Sequence, residues 1–168
     1  NPTPDKIETT VARSTPGVEA FTPVQLLRLT QLFASDPALA DTLGPDPERP
    51  GERSWRLLAD SPRLQVWLIR WPVGTSTGWH DHGGARGGFT VVRGTLTERT
   101  RERSVVATEF DEGEGRAFGG SHLHDVVNLG REAAVSVHAY SPTLAQMTHY
   151  DLVDGVLHPS GVEQRQAW

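Results

Sequence analysis

Two histidines one residue apart, His80 and His82, lie between glycines in the stretch Gly74–Gly94, GTSTGWHDHGGARGGFTVVRG. On a strand, residues i and i+2 face the same side, so the pair presents two imidazoles toward one cavity, close enough to share a metal ion. A third ligand must come from elsewhere. The best supplier is Ser121–Asn128, SHLHDVVN, where His122 and His124 repeat the period of two. A further polar alternation follows in AVSVHAY, with Ser136, His138 and Tyr140 interleaved with Val135, Val137 and Ala139. Such a polar face looks either at solvent or, in a barrel that already holds histidines, into a wet cavity. In the second case a Ser–His–Tyr hydrogen-bond chain would orient the phenol toward whatever is bound there.

Any metal here must be held by nitrogen and oxygen, because the chain contains no cysteine. That also excludes a disulfide framework, a thiolate zinc site and a cysteine nucleophile. Sixteen Lys plus Arg against 21 Asp plus Glu give a formal charge of -5 without a basic block, so nothing argues for nucleic acid or an anionic membrane as partner. No window approaches the roughly 18 consecutive apolar residues of a membrane span, and Asn1–Ala20 lacks the apolar run of a signal peptide. The expectation is a cytoplasmic protein, monomeric, whose partners are small molecules. At 168 residues the chain fits one domain with a core of its own.

The elements that must position these side chains can be read in order. Residues 1–20, with Pro2, Pro4, Pro16 and Gly17, are expected to form an N-terminal arm, and 21–168 a single domain. Phe21–Ser35 reads as a helix: Thr22 as N-cap, Pro23 in the first turn, Gln25 completing a capping box, and Phe21 with Leu26 as a staple. Val24, Leu27 and Leu32 are expected to face the core. Asp36 and Pro37 start a second short helix that runs through Leu43 and stops at Gly44, completing a helical lead-in over 21–44, and a proline-rich linker reaches Gly51. From Arg53 to about residue 158 the pattern becomes some eight short β-rich runs, among them SWRLLAD, LQVWLIRW, GFTVVRGTLTE and MTHYDLV. The expected fold is all-β, a jelly-roll barrel with a small N-terminal helical segment.

The histidine stretches resemble the two motifs of the cupin superfamily. Gly74, His80, His82 and Gly94 fall on the first, with Gly87 where that motif has a glutamate. Gly113, His124 and Asn128 fall on the second, with Gly119 and Ser121 in place of its proline and second glycine. Three neutral histidines leave a divalent ion its full charge, and such a site favours an anionic ligand such as a thiolate. Within cupins, Arg53–Asp151 is similar to the cysteine dioxygenase family, short bacterial (actinobacterial) type, through WPVGTSTGWHDHGG, HLHDVVN and AVSVHAYSP. The resemblance implies Fe(II) held by His80, His82 and His124, and the family's Ser-x-His-x-Tyr as Ser136, His138 and Tyr140. It also implies an early-strand arginine that binds the substrate carboxylate, best matched by Arg56, alongside Tyr140.

The activity implied is oxidation of L-cysteine by O2 to cysteine sulfinic acid. Met147 stands where mercaptopropionate dioxygenases carry an arginine, which favours cysteine. Mammalian-type members have, at the place of Gly87, a cysteine that crosslinks to the tyrosine, so Tyr140 is expected to be unmodified and freer to move. The Ser141–Pro142 bond is a candidate for cis. Other readings remain at this level: a dioxygenase for 3-mercaptopropionate or another small thiol, a ligand-binding cupin without catalysis, or a zinc hydrolase, since three histidines also describe catalytic zinc. His122 is the alternative to His124 as ligand. His149 and His158 read as surface or packing residues, and Arg86 as a solvated loop charge near the cavity mouth.

Overall fold

The computed structural model describes residues 19–165, so the expected arm over 1–20 lies almost wholly outside the described residues. Helix α1, Pro23–Ala34, is capped as its sequence implies: Gln25 N–H donates to Thr22 Oγ1 at 3.2 Å and Thr22 N–H to Gln25 Oε1 at 2.9 Å. Its buried face differs from the expected one. Val24 and Leu32 are exposed, and Leu26, Leu29, Thr30 and Phe33 turn inward. Apolar residues lie nearly all round this helix, so periodicity alone left its orientation open. Thr30, polar by type, is buried because its hydroxyl meets that of Thr90 at 2.8 Å. The second helix contracts to a 3-10 turn, Leu39–Thr42.

Eleven strands follow: β1 Ser54–Ser61, β2 Leu64–Trp71, β3 Trp79–His80, β4 Arg86–Arg93, β5 Leu96–Arg101, β6 Val105–Phe110, β7 Gly115–Phe118, β8 His124–Val127, β9 Ala134–Ser141, β10 Gln146–Val153 and β11 Val156–Gln164. They form a five-stranded sheet ordered β1-β2-β9-β4-β7 and a six-stranded sheet ordered β11-β10-β3-β8-β5-β6, together the expected all-β jelly-roll barrel. The last strand extends the barrel beyond the expected limit near 158. Its hairpin turns on Asp154 and Gly155, both at positive φ, and Asp-Gly is a strong hairpin signal. Among the described residues no helix is long and apolar enough to cross a membrane.

Two apolar clusters result. One fills the barrel around Trp71, Phe89, Val91, Leu96 and Phe118. The other joins α1 to the outer face of the five-stranded sheet through Leu26, Val66, Leu68, Val135, Val137 and Ala139. Contact there is close enough to require glycine: a Cβ on Gly88 would stand 2.9 Å from Leu27 N. Strand β9 therefore puts its apolar residues under the helix and its polar ones, Ser136, His138 and Tyr140, into the barrel, all of them buried. The Ser141–Pro142 bond is cis.

Candidate metal centre and substrate cavity

His80 ends β3 and His124 begins β8, and the two are direct cross-strand partners. His82 follows in a tight turn closed by Ala85 N–H to His82 O at 3.0 Å. Gly83 makes that turn possible, with φ +58° and room for no side chain, since a Cβ would stand 2.7 Å from Gln146 O. Asp81 fastens the loop to β10 by accepting from Thr148 N–H and the Tyr150 hydroxyl, at 3.1 and 2.8 Å.

Each of the three imidazoles has its Nδ1 committed to an acceptor. His80 Nδ1 meets Gly78 O at 2.9 Å, His82 Nδ1 meets His122 O at 3.3 Å, and His124 Nδ1 meets Glu98 Oε2 at 2.7 Å. These partners place the proton on Nδ1 and leave each Nε2 with a free lone pair. Candidate ligand atoms of the three residues all lie within 4.8 Å of one another. His82 Nε2 is buried without a partner among the described residues, a costly arrangement that a bound cation relieves. Burial holds His80 and His82 well below the ordinary histidine range, and their neighbouring histidines push the same way. Burial likewise lowers His124, against the raising effect of Glu98. Three neutral nitrogen donors gathered this closely fit a divalent first-row ion.

His122 is not one of these donors. Its Nε2 donates to Glu98 Oε2 at 2.9 Å, so this carboxylate oxygen serves both His122 and His124, while Oε1 forms an ion pair with Arg116 at 2.5 Å. Burial alone would raise the Glu98 carboxyl; the two imidazole hydrogen bonds and the Arg116 charge overrule it and hold it at about 2.

The cavity beside the metal centre is walled by Trp55, Trp67, Ile69, Trp71, Leu144 and Met147, with Arg53, Tyr140, His149 and Glu163 as its polar groups. Arg56, the expected carboxylate anchor, is not among them. Its guanidinium turns outward to Thr42, bonding Oγ1 at 2.8 Å, and is exposed. A β-bulge between Leu57 and Ala59 is the cause. Strict alternation back from the β1–β2 hairpin puts Arg56 inside, but the extra residue flips the parity. Arg56 then lies opposite Leu68 on the helix side, and Trp55 opposite the cavity residue Ile69. Arg53, two residues before Trp55, reaches the cavity. Its guanidinium stands 5.1 Å from the centre of the Trp71 ring and 5.8 Å from that of Trp55, and no carboxylate of the described residues forms an ion pair with it. Burial lowers its pKa, and the nearby Tyr140 and Glu163 oppose that.

The polar chain on β9 runs differently from the expected order. Trp71 Nε1–H donates to Ser136 Oγ at 2.8 Å, and Ser136 Oγ lies 2.7 Å from His138 Nε2. Indole nitrogen only donates, so the serine oxygen accepts from Trp71 and shares a second hydrogen bond with His138. Burial lowers His138 to about 3. No hydrogen bond joins His138 to Tyr140, whose ring centres are 6.5 Å apart; Tyr140 stacks on His82 at 5.4 Å instead. Burial raises the Tyr140 hydroxyl far above its usual range despite the Arg53 charge, so it stays a neutral phenol that can donate a hydrogen bond. Gly87 leaves the space that Phe118 occupies: a Cβ there would stand 2.4 Å from the Phe118 ring and 3.1 Å from Tyr140. Tyr140 is buried and packed rather than loose.

His149 is a residue whose place the sequence did not reveal. It pairs in register with His80, lines the cavity, and its Nε2 lies 2.7 Å from Glu163 Oε2. The signal was there in MTHYDLV, where Met147 and His149 share one face. His158 and Arg86 are exposed and lie outside the cavity lining.

The model of the family described as cysteine dioxygenase type I matches residues 46–153, more than half of the chain. No curated protein matches significantly. Among solved structures, an uncharacterized conserved protein with a double-stranded β-helix domain from Klebsiella pneumoniae is 17% identical over 66% of this chain and 86% of its own, with a TM-score of 0.56. A Thermus thermophilus protein is 18% identical over 62% and 93%, at 0.54. An oxalate oxidase, solved with the substrate analogue glycolate, is 15% identical over 63% of this chain and 59% of its own, at 0.54, so the chain spans about three-fifths of that protein. At these identities the likeness is one of fold.

Proposed function

Because the chain belongs to the cysteine dioxygenase type I family, we propose that it is a non-haem Fe(II) thiol dioxygenase that converts L-cysteine and O2 to cysteine sulfinic acid. The observation that carries this reading is the set of three neutral imidazoles, His80, His82 and His124, brought together beside a cavity that holds an arginine without a carboxylate partner among the described residues. Ferrous iron held by the three Nε2 atoms would supply the electron transfer that lets dioxygen react with a thiolate, both oxygen atoms ending on sulfur. Bringing both reactants to one centre replaces a difficult encounter with a local one.

The protein's own groups bind and orient. Arg53 is the carboxylate anchor: it is charged, its planar fork can meet a carboxylate through two N–H groups, and the indoles of Trp55 and Trp71 hold it in place. Glu163, fixed by His149, puts an opposite charge in the same cavity and suits the ammonium of an amino acid. Tyr140 presents a protonated phenol to the cavity and serves as hydrogen-bond donor to the bound acid or its oxidised sulfur. The Trp71–Ser136–His138 chain fixes the wall behind it. Met147, apolar and half-buried in the cavity, offers no second cation for a carboxylate.

Oxygen consumption by iron-loaded protein, measured with cysteine, 3-mercaptopropionate and cysteamine and with products identified by mass, tests the proposal. Uptake with cysteine and formation of the sulfinate are expected. Absence of iron binding, or no uptake with any of the three, would end it.

A further inference from the structure

Glu98 stands in a position that its sequence context, a charged strand reading LTERTR, gives no reason to single out. It is 1% exposed on β5, inside the barrel, directly behind His124. Of the three imidazoles in the metal centre, His80 and His82 give their Nδ1 protons to neutral backbone carbonyls; His124 alone gives its proton to an anion. The position of that anion is over-determined. His124 and His122 both donate to Oε2, at 2.7 and 2.9 Å, and Arg116 faces Oε1 at 2.5 Å. With Oε2 committed to these two imidazoles, Glu98 acts on the centre through the His124 ring.

We infer that Glu98 is the positioning carboxylate of this centre, supplying through the Nδ1 of His124 the negative charge that three neutral nitrogen donors lack. An anionic acceptor fixes the ring's tautomer and orientation, and draws the Nδ1 proton toward itself. Both effects make Nε2 the stronger donor, and partners of this kind support metal affinity by about 10- to 100-fold. His122 and Arg116 hold the carboxylate where it can do this. The inference rests on the metal reading of the three histidines.

Glu98→Gln keeps the size of the side chain and an oxygen that accepts from His124, while removing the charge. Fe(II) affinity, measured anaerobically by competition with a chelator, should weaken about 10- to 100-fold in this variant. Leu96→Ala opens the core on the same strand, leaves the Glu98–His124 bond in place and should bind Fe(II) within about threefold of the unaltered protein, so a loss confined to Glu98→Gln is one that general loosening of the core would not produce. Thermal unfolding of both metal-free variants reports on the fold separately. Equal affinity in Glu98→Gln and the unaltered protein would overturn the inference and leave the metal centre standing. Failure of the unaltered protein to bind any divalent ion would remove both. Should Glu98→Gln not fold, proton and nitrogen NMR of the unaltered zinc-loaded protein reads the same bond. The His124 Nδ1 proton is expected well downfield of those of His80 and His82, and coincident shifts for the three would refute the role.

Discussion

Arg53 brings its charge into a wall of indoles with no carboxylate partner among the described residues. A hydrogen bond to a charged group is worth about 1.5–3 kcal/mol, so Arg53→Ala should raise KM for cysteine by about 10- to 100-fold. Cysteamine, which has no carboxylate, should be affected much less, and Arg56→Ala should leave the kinetics of both unchanged, because that side chain ends on Thr42. Glu163→Gln has the opposite signature, weakening cysteine and sparing 3-mercaptopropionate; equal effects on both would deny Glu163 its ammonium. Tyr140→Phe removes a hydrogen-bond donor to the reacting atoms and should lower kcat by about 100-fold, with KM nearly constant. The histidine triad was legible because its spacing repeats at two separate stretches, and a period of two converts directly into a shared face. Arg53 was not, since a bulge is set by local backbone geometry that alternation cannot reveal. Glu98 was not either, because an acidic residue flanked by threonine and arginine looks like solvated strand.

At the level of elements, β9 organises the molecule by having two different faces, one under α1 and one in the barrel. Their roles could be read from alternation, but which face met solvent could not. The answer, that neither does, depends on α1 lying across the sheet. Gly88→Ala tests this contact: a Cβ 2.9 Å from Leu27 N must push the helix away. Overpacking of this kind costs about 1–3 kcal/mol, a fall of roughly 3–10 °C in the melting temperature at this chain length, read by thermal unfolding of the metal-free protein. The helix itself was legible down to its capping box. Its inward face was not, because Thr30 is buried through a partner 60 residues away that only the folded chain supplies.

For the whole molecule, the buried neutral histidines make stability depend on pH in a definite direction. His138 is held at about 3 by burial, and His80, His82 and His124 are also lowered from the usual 6.5. Below pH 6.5 the unfolded chain takes up protons that the folded one refuses, so stability is full above that pH. It falls as the pH drops toward about 3, by about 1.4 kcal/mol per unit for each such histidine. Glu98, held at about 2, adds a loss below the ordinary carboxylate range. Melting temperatures of the metal-free protein between pH 7 and 4 should therefore decline progressively, and a flat profile would contradict the burial of these rings. Binding of a metal should raise the melting point at neutral pH, by about 2.7 kcal/mol of stability when the ion is at 100 times its Kd, and a chelator should reverse it. The extra residue in β1 has a last consequence. Were the pairing to slide by one position and the bulge to vanish, Arg56 would swing inward opposite Ile69 and Arg53 outward, with the barrel and its three imidazoles untouched. If Arg53 is the anchor proposed above, recognition of the acid group would hang on a peripheral ribbon that can be re-threaded independently of the three imidazoles, a way for this scaffold to change what it accepts without altering its metal centre.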